Sequence, residues 1–257
     1  MKARVVSPAR GAIWLAQGWR MFRASPLGWL AMVFTYLMGT MLVSAFPLVG
    51  PLAVSLLVPA FGVGFMTASR AAWRKQPVDL VTLFAGFRER LPAQLALGAV
   101  YTTGFFAAIA GSALLDGGVL LRALFSPGAA PDAAPDGEDL FAGMLASVLV
   151  YLPVMMMLWF APVLVAWHGV APAKALFYSL AAFWLNLRAF LVYALALALA
   201  LFVIVGVVTL VAAFVAGDAP AASARALVFP MALVVLPILF ASYYASYQDV
   251  FSAAEDG

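Results

Sequence analysis

The chain has 257 residues, of which 66% are apolar and 10% are charged, and it carries a formal net charge of +3. Soluble domains are roughly half apolar and about a quarter charged, so this composition excludes an ordinary soluble globule and a disordered chain. The mean hydropathy of +1.06 indicates an integral membrane protein. With no cysteine and one histidine, the chain also lacks the residues for a disulfide framework or a thiolate metal site.

Six apolar stretches are long enough to cross a membrane as helices, since about 20 residues span roughly 30 Å of hydrocarbon. The first 26 residues hold five basic side chains and no uninterrupted apolar run, which argues against a cleaved signal peptide. The predicted fold is a single all-α integral membrane domain over residues 1–257. Its predicted segments are an amphipathic stretch at 1–26, spans at 27–46, 50–69, 94–115, 141–167, 189–216 and 227–247, an acidic periplasmic loop at 116–140 and a cytoplasmic tail at 248–257.

The distribution of basic residues predicts the orientation of these spans. Twelve of the 14 Lys and Arg residues lie on one side of the predicted topology, and only Arg122 and Arg225 lie on the other. Because basic loops stay in the cytoplasm, both termini are predicted to be cytoplasmic, in a bacterial inner membrane. Short basic clusters between apolar runs argue against nucleic-acid binding and favour contacts with membrane lipids, above all anionic phospholipid.

Each odd-numbered span is preceded by a cationic, aromatic stretch with helical apolar spacing. Such stretches are typical of helices that lie in the headgroup plane, with guanidinium groups near the phosphates. The chain is therefore predicted to form three helical hairpins, each preceded by a cytoplasmic interfacial amphipathic helix. The expected apolar faces are Leu15, Trp19 and Phe22, then Leu80, Phe84, Phe87 and Leu91, then Leu176, Leu180, Phe183 and Leu187. The candidate lipid-headgroup contacts are Arg20, Arg23, Arg70, Arg74, Arg88 and Arg90.

Each even-numbered span carries a pair of prolines. Proline lacks an amide proton and clashes with the preceding turn, so an interior proline is expected to kink its helix. Together with the stretches described above, the pairs indicate a weak threefold repeat of interfacial helix, straight span and kinked span. The pairs are Pro51 and Pro59, Pro153 and Pro162, and Pro230 and Pro237.

Several positions in or next to the even spans could line a cavity. Broken helices at matching positions of structural repeats can expose backbone groups to a substrate, whereas small residues there also allow close helix packing. His168, beside Trp167, could titrate near neutral pH or simply bond to a helix end. The sequence leaves both interpretations open for these candidate kink or cavity positions, which are Pro59, Gly62, Gly64, Pro162, His168, Pro237 and Tyr243.

No motif for catalysis, cofactor binding or metal ligation is present in the sequence. The acidic residues concentrate in the loop at 116–140, where residues 126–138 are predicted to lack fixed structure. Such a loop positions no catalytic carboxylate and lacks the turn geometry of a calcium loop, which disfavours a cation sensor. No span carries an ionisable residue near its middle, which disfavours proton-coupled transport. We therefore expect no enzymatic activity and no cofactor.

Four segments carry a family resemblance that extends over nearly the whole chain: FPLVGPLAVSLLVPAFGVGFMTASRA at 46–71, LFAGFRERL at 83–91, FAPVLVAWHGVAPAKALFYSL at 160–180 and SYYASYQDVF at 242–251. Together they resemble a family of proteobacterial, mostly betaproteobacterial, multi-pass inner-membrane proteins of unknown function. The resemblance implies a membrane location and no established activity, so it assigns no catalytic or ligand residue.

Two hypotheses of function follow. The first is an inner-membrane protein of unknown molecular function that acts as a non-enzymatic structural or accessory component with anionic-lipid contacts. The alternative is a small-molecule or lipid transporter whose cavity lies among the proline-kinked even spans. A hydrated cavity touching Pro59, Pro162 and Pro237 would favour the transporter, whereas dry packing there would count against it.

Overall fold

The computed structural model describes residues 3–125, 137–216 and 220–251. All regular elements within these ranges are helical, and six of the helices are long and apolar enough to cross a membrane. The predicted all-α fold with six candidate spans is confirmed. The elements are α1 (Arg10–Ala24), α2 (Pro26–Ser44), α3 (Val49–Trp73), a 3₁₀ helix (Leu80–Phe84), α4 (Ala85–Arg88), α5 (Leu91–Asp116), α6 (Val119–Phe125), α7 (Gly137–His168), α8 (Pro172–Leu185), α9 (Leu187–Ala216) and α10 (Pro220–Phe251). The candidate spans are carried by α2, α3, α5, α7, α9 and α10.

Proline lies at the first or second position of four of these helices, among them α10, which begins at Pro220. Pro26, Pro92 and Pro172 each lie at the first or second position of α2, α5 and α8, respectively. The fixed φ of proline suits a first helical turn, and its missing amide proton would have no partner there. These prolines therefore mark where the chain can begin a new helix after the preceding segment ends.

The helices meet at one end of the bundle, where α3, α7 and α10 finish and α5 and α9 begin; we call this the basic end. The ring of Trp167 in α7 packs on the Arg70 guanidinium, 5.1 Å away, and on the Tyr247 ring, 5.4 Å away. The guanidinium of Arg90, just ahead of α5, donates to the carbonyl oxygen of Gly169 at 3.4 Å. These contacts bring together segments that the sequence analysis assigned to the cytoplasmic side.

Packing is dense at the basic end and sparse toward the opposite end. Trp14, Trp29 and Phe160 are fully buried. By contrast, Phe46 and Phe202 are 67% and 77% exposed, and the most apolar window of α9 contains no buried residue. Exposed rings and aliphatic side chains along helices of this length suit a lipid environment better than water.

The three stretches that precede the odd spans pack against other helices of the bundle. Helix α1 packs on α9 and α10, the 3₁₀ helix and α4 pack on α3, and α8 packs on α7. Each stretch therefore contacts an even-numbered span, and the first helix of the chain contacts the last. This arrangement is the structural counterpart of the weak threefold repeat seen in the sequence.

The faces that these stretches bury in the bundle contain small residues as well as the predicted Phe22 and Phe183. In α1 the buried residues include Gly11, Trp14 and Gly18, whereas Trp19 is 43% exposed. Small residues form much of these contact faces and let helix backbones approach each other. In the second stretch Leu83 and Gly86 are buried while Leu80 and Phe84 are exposed, and in the third Phe183 is buried together with Ala175, Ser179 and Ala182.

Glycine mediates the closest approach in two of the three contacts. A methyl group added at Gly18 of α1 would overlap the carbonyl oxygen of Ile238 in α10. A methyl group added at Gly86 of α4 would overlap the carbonyl oxygen of Ala60 in α3. Only a residue without a side chain allows the backbones to lie this close.

A serine mediates the third contact. Ser179 Oγ of α8 accepts a hydrogen bond of 2.8 Å from the amide of Phe160 and donates one of 2.8 Å to the carbonyl oxygen of Met156, both in α7. The three contact points on the even spans, Ala60, Phe160 and Ile238, lie within two residues of Pro59, Pro162 and Pro237, respectively. Each of the three contacts therefore lies next to a proline of an even span.

Each proline pair has one buried and one exposed member. Pro59, Pro162 and Pro237 are buried, and their partners Pro51, Pro153 and Pro230 are exposed. Helices α3, α7 and α10 continue through their interior prolines, and the expected kinks stay a prediction. Pro51 lies in the first turn of α3 and is not an interior proline, so no kink is expected at it.

At the end opposite the basic end, part of the acidic loop is helical. The carboxylate of Asp116 accepts hydrogen bonds from the amides of Gly118 and Leu120, at 2.8 and 3.0 Å, just where α6 begins. Helix α7 begins at Gly137, so the expected absence of fixed structure at residues 137–138 is wrong. A carboxylate that accepts from free amides at a helix start stabilises that start, which composition alone did not reveal.

Some expectations fall outside the described residues. These are the lack of fixed structure at residues 126–136 and the tail at residues 252–257. The first four residues of the predicted tail, 248–251, belong to α10, where Val250 and Phe251 are buried.

Candidate functional site

Of the six candidate headgroup arginines, Arg70, Arg74, Arg88 and Arg90 lie near the end of α3 or just ahead of α5, whereas Arg20 and Arg23 lie in the last turns of α1. Among the described residues, the one ion pair within 4 Å joins Arg10 to Asp249 and involves none of the six. Their positive charge is therefore not balanced by a described carboxylate at that range. Arg20 and Arg23 are exposed on α1, Arg74 is exposed after α3, Arg88 and Arg90 are exposed ahead of α5, and Arg70 is half-buried near the end of α3.

Three of these arginines are held in place by protein contacts: Arg70 and Arg90 through the contacts at the basic end given above, and Arg23 through an aromatic ring. The guanidinium of Arg23 lies 5.5 Å from the centre of the Trp19 ring. The backbone of Arg90 adopts a left-handed conformation with φ of 54°, which costs a non-glycine residue about 1 kcal/mol. An arginine that packs on an aromatic ring or donates to a carbonyl oxygen keeps its full charge and can still bind an anion.

Sequence analysis missed the strongest charged contact of the basic end. Both carboxylate oxygens of Asp249 in α10 accept hydrogen bonds from Arg10 of α1, at 2.6 Å each, and one also accepts from Nε1 of the buried Trp14 at 2.6 Å. Hydrogen bonding to this carboxylate raises the pKa of Arg10 above its ordinary value. No local signal could have found the pair, because its members lie 239 positions apart in the chain.

The residues ahead of α1 are fastened to the same place. The amide of Arg4 donates to the carbonyl oxygen of Val250 at 2.9 Å, and its guanidinium donates to the backbone oxygen of Asp249 at 3.1 Å. The side chain of Asn186, between α8 and α9, accepts from the amide of Val6 at 2.8 Å and donates to the carbonyl oxygen of Arg4 at 2.9 Å. The segment ahead of α1 and the end of α10 therefore meet at the α8–α9 junction.

His168 and Tyr243 lie within a cluster of aromatic side chains. The Nε2 atom of His168 is 2.6 Å from the hydroxyl oxygen of Tyr247 in α10. The ring of Trp159 lies 5.1 Å from that of Tyr243, and its Nε1 donates to Ser246 Oγ at 3.2 Å. The hydrogen bond between His168 and Tyr247 favours the interpretation of His168 as a polar residue bonded to a neighbouring helix end.

The two glycines of the VPAFGVGFM run have different surroundings. A methyl group added at the buried Gly64 would overlap the carbonyl oxygen of Leu83 in the 3₁₀ helix. At Gly62 the same methyl group would meet no atom within 4 Å. Gly64 therefore allows close packing, as the packing interpretation expects, whereas Gly62 makes no such contact.

The helices also contact each other at or near the buried prolines Pro162 and Pro237. Gln94, which sequence analysis did not single out, is fully buried in α5 and donates from Nε2 to the carbonyl oxygen of Pro162 at 3.0 Å. A buried amide is costly unless it is paired, so this bond ties α5 to α7 at the proline. In α10, Phe240, three residues after Pro237, stacks on Phe65 of α3 with 3.8 Å between ring centres.

An open apolar groove of about 340 Å³ lies between α1, α9 and α10. All of its lining residues are apolar, and those from α1 run from Ala12 to Trp19. Leu201 of α9 and Ile238 of α10 line its other walls. None of the three buried prolines of the even spans lines the groove, so it is not the cavity that the transporter hypothesis expects.

The chemistry of the basic end is that of cations beside apolar surface. No group of three His, Asp or Glu side chains among residues 3–125, 137–216 and 220–251 could hold a metal ion. The site offers guanidinium groups, aromatic rings and an apolar groove. This combination suits a ligand with a phosphate at one end and hydrocarbon at the other.

Comparison with known proteins identifies a full-length relative. A curated protein of Burkholderia thailandensis, named a probable inner membrane protein, is 41% identical to this chain over 260 residues. The match covers 98% of this chain and 94% of the relative. No protein-family model and no solved structure matches the chain.

Proposed function

Because the chain belongs to the same family as this probable inner membrane protein of Burkholderia thailandensis, we propose that it resides in a bacterial inner membrane, with both termini in the cytoplasm. We further propose that it is a non-enzymatic structural or accessory component that contacts anionic phospholipid through its basic end. The six apolar helices, and the exposed apolar side chains away from the basic end, support the membrane location.

The lipid contacts rest on one observation, the six candidate arginines whose charge no described carboxylate balances. Arg10 is neutralised by Asp249, but no described carboxylate lies within 4 Å of the six candidate arginines. Five of the six are exposed. Each basic residue near an anionic membrane surface contributes on the order of 1 kcal/mol to binding, so several together favour anionic over zwitterionic lipid.

The proposed arrangement is three helical hairpins, formed by α2 with α3, α5 with α7, and α9 with α10. The members of each pair contact each other, which supports this grouping. In the proposal α1, the 3₁₀ helix with α4, and α8 lie at the cytoplasmic interface, where the arginines of α1 and α4 reach headgroups. The absence of enzymatic activity is proposed from the sequence, which contains no catalytic motif, no cysteine and one histidine.

Reporter fusions test the orientation. Alkaline phosphatase fused after Gly137 is expected to be active, because that position lies in the acidic loop (116–140) on the periplasmic side of the proposed topology. The same enzyme fused after Phe251 is expected to be inactive, because alkaline phosphatase folds only outside the cytoplasm and the C-terminus is proposed to be cytoplasmic. Green fluorescent protein at the two positions should give the reverse pattern. Phosphatase activity at Phe251 would refute the cytoplasmic C-terminus.

Charge removal tests the lipid contacts. Exchanging Arg74, Arg88 and Arg90 for glutamine is expected to reduce the retention of phosphatidylglycerol by about fivefold for each charge removed. Binding would be measured by native mass spectrometry of the detergent-solubilised chain titrated with phosphatidylglycerol or phosphatidylcholine. The matched control is Arg122→Gln, which removes an exposed arginine at the opposite end and should leave retention unchanged. Equal retention of both lipids by the unmodified chain would contradict the proposed lipid contacts.

The transporter hypothesis gains no specific support. Its expected cavity would touch Pro59, Pro162 and Pro237, and these residues are buried beside packed helices. The groove that is described lies instead between α1, α9 and α10. We therefore retain the structural or accessory role as the single proposed function.

A further inference from the structure

Two guanidinium groups from separate segments of the chain meet the end of α7. The Arg70 guanidinium of α3 packs on the ring of Trp167, and the Arg90 guanidinium, just ahead of α5, donates to the carbonyl oxygen of Gly169. Trp167 and Gly169 flank His168, the last residue of α7. The fold therefore brings two cations to one helix end.

The backbone after α7 leaves room for one of these cations. Gly169 has a φ of 65°, in the left-handed region that favours glycine. A methyl group added there would lie 2.8 Å from Nη2 of Arg90, which is closer than a side-chain carbon approaches. Glycine at this position thus allows the guanidinium to lie against the backbone at the end of the helix.

The charge at this end of α7 is positive on balance. The free carbonyl oxygens at a helix C-terminus carry roughly half a negative charge, whereas Arg70 and Arg90 each carry a full positive charge. Among the described residues, no carboxylate lies within 4 Å of either arginine, and Glu89, next to Arg90, forms no ion pair at that range. The helix end balances only part of the positive charge, so the remainder is available to an anion.

Both arginines lie where an anion can approach from the cytoplasm or from the headgroup layer. Arg90 is exposed, and Arg70 and the Trp167 ring are half-buried. They belong to the basic end, which is cytoplasmic in the proposed topology. A lipid phosphate bound there would direct its acyl chains into the bilayer, in the direction in which α5 leaves the basic end.

We propose that Arg70 and Arg90 together bind a phosphate monoester. The inference deepens the proposed function and rests on it, because it names the headgroup chemistry for two of the six candidate arginines. A monoester offers three terminal oxygens and close to two negative charges, whereas a phosphodiester offers two such oxygens and one charge. Guanidinium groups match phosphate oxygens in a two-pronged manner, so two of them use the additional oxygen and charge.

This chemistry has two sources, phosphatidic acid in the membrane and a soluble phosphate monoester in the cytoplasm. Phosphatidic acid is compared with phosphatidylmethanol of the same acyl chains, because the two lipids differ by one methyl group that blocks the second charge. Each is titrated, at mildly alkaline pH, into the detergent-solubilised chain and followed by native mass spectrometry. We expect about fivefold stronger retention of phosphatidic acid, the effect of one further charge beside these cations. Equal retention of the two lipids by the unmodified chain would overturn the inference.

Substitutions locate the preference. Arg70→Gln and Arg90→Gln are each expected to lower the preference for phosphatidic acid over phosphatidylmethanol, and the two together should abolish it. The single variants keep the test valid if the double variant does not fold. The matched control is Arg74→Gln combined with Arg88→Gln, which removes the same number of charges from exposed positions of the same end. This control should weaken retention of both lipids and leave their ratio unchanged. A preference that survives the loss of Arg70 and Arg90, or that disappears equally in the control, would overturn the inference.

Glycerol 3-phosphate distinguishes the two sources. Displacement of phosphatidic acid by millimolar glycerol 3-phosphate would support the monoester site and assign a soluble ligand to it. Retention of phosphatidic acid under the same conditions would support the site and assign the lipid.

Failure of this inference is distinguishable from failure of the proposed function. The proposed lipid contacts are tested by the retention of phosphatidylglycerol against phosphatidylcholine. If phosphatidylglycerol is preferred while phosphatidic acid and phosphatidylmethanol are retained equally, only the monoester inference fails. Equal retention of phosphatidylglycerol and phosphatidylcholine would contradict the proposed lipid contacts themselves.

Discussion

Replacing Gly64 with alanine is expected to lower the free energy of unfolding by about 2 kcal/mol, within the range of 1–3 kcal/mol typical of overpacked sites. The added methyl group would overlap the carbonyl oxygen of Leu83, which is backbone and cannot rotate away as a flexible side chain could. Relief requires the 3₁₀ helix to move off α3. Unfolding in mixed detergent micelles with increasing dodecyl sulfate, followed by circular dichroism, measures the loss.

Gly62→Ala provides the matched control two positions away on the same helix. Nothing lies within 4 Å of a methyl group there, so the main effect is the gain from removing glycine from a helix interior, about 0.5–1 kcal/mol. The two substitutions are thus expected to change stability in opposite directions. If both variants were equally stable, close packing would not be the role of Gly64, and its interpretation as an exposed backbone site would be favoured instead.

Asp249→Ala is expected to lower the free energy of unfolding by about 2–3 kcal/mol. The change removes the acceptor for two Arg10 hydrogen bonds and for the indole N–H of the buried Trp14, and hydrogen bonds to charged groups contribute more than neutral ones. The side chains of Arg10 and Asp249 are 32% and 16% exposed, so water compensates part of the loss. The same unfolding titration measures this effect, and Trp14 should also become more mobile in fluorescence.

Two further variants test whether the geometry of this pair matters. Arg10→Lys keeps the positive charge but cannot donate in the two-pronged manner of a guanidinium, so an intermediate loss is expected. Glu138→Gln removes an exposed acid at the opposite end and should change stability little. A double-mutant cycle between Arg10→Met and Asp249→Ala should show a coupling free energy above 1 kcal/mol, on the scale of neighbouring residues that share a network. Additive effects would mean that the ion pair does not join α1 to α10 energetically.

The candidate site could be predicted only in part. The six arginines were identifiable because basic clusters between apolar runs are a property of the sequence itself. Their exposure, and the fact that Arg10 differs from them by pairing with Asp249, could not be predicted. Gln94 and Ser179 carried no signal either, because a single polar residue in an apolar helix does not indicate which backbone atoms lie opposite it.

The sequence by itself determined which segments are apolar and long enough to cross a membrane, and it predicted that twelve of the 14 basic residues lie on one side of them. Both properties depend on the transfer of a local segment from water to lipid, which its own residues control. Only the tertiary structure decided which face of α1 is buried, why Gly64 differs from Gly62, and which residue pairs with Asp249. These outcomes depend on atoms contributed by distant segments, such as the Leu83 carbonyl oxygen or the Arg10 guanidinium, and local composition does not specify where those atoms lie.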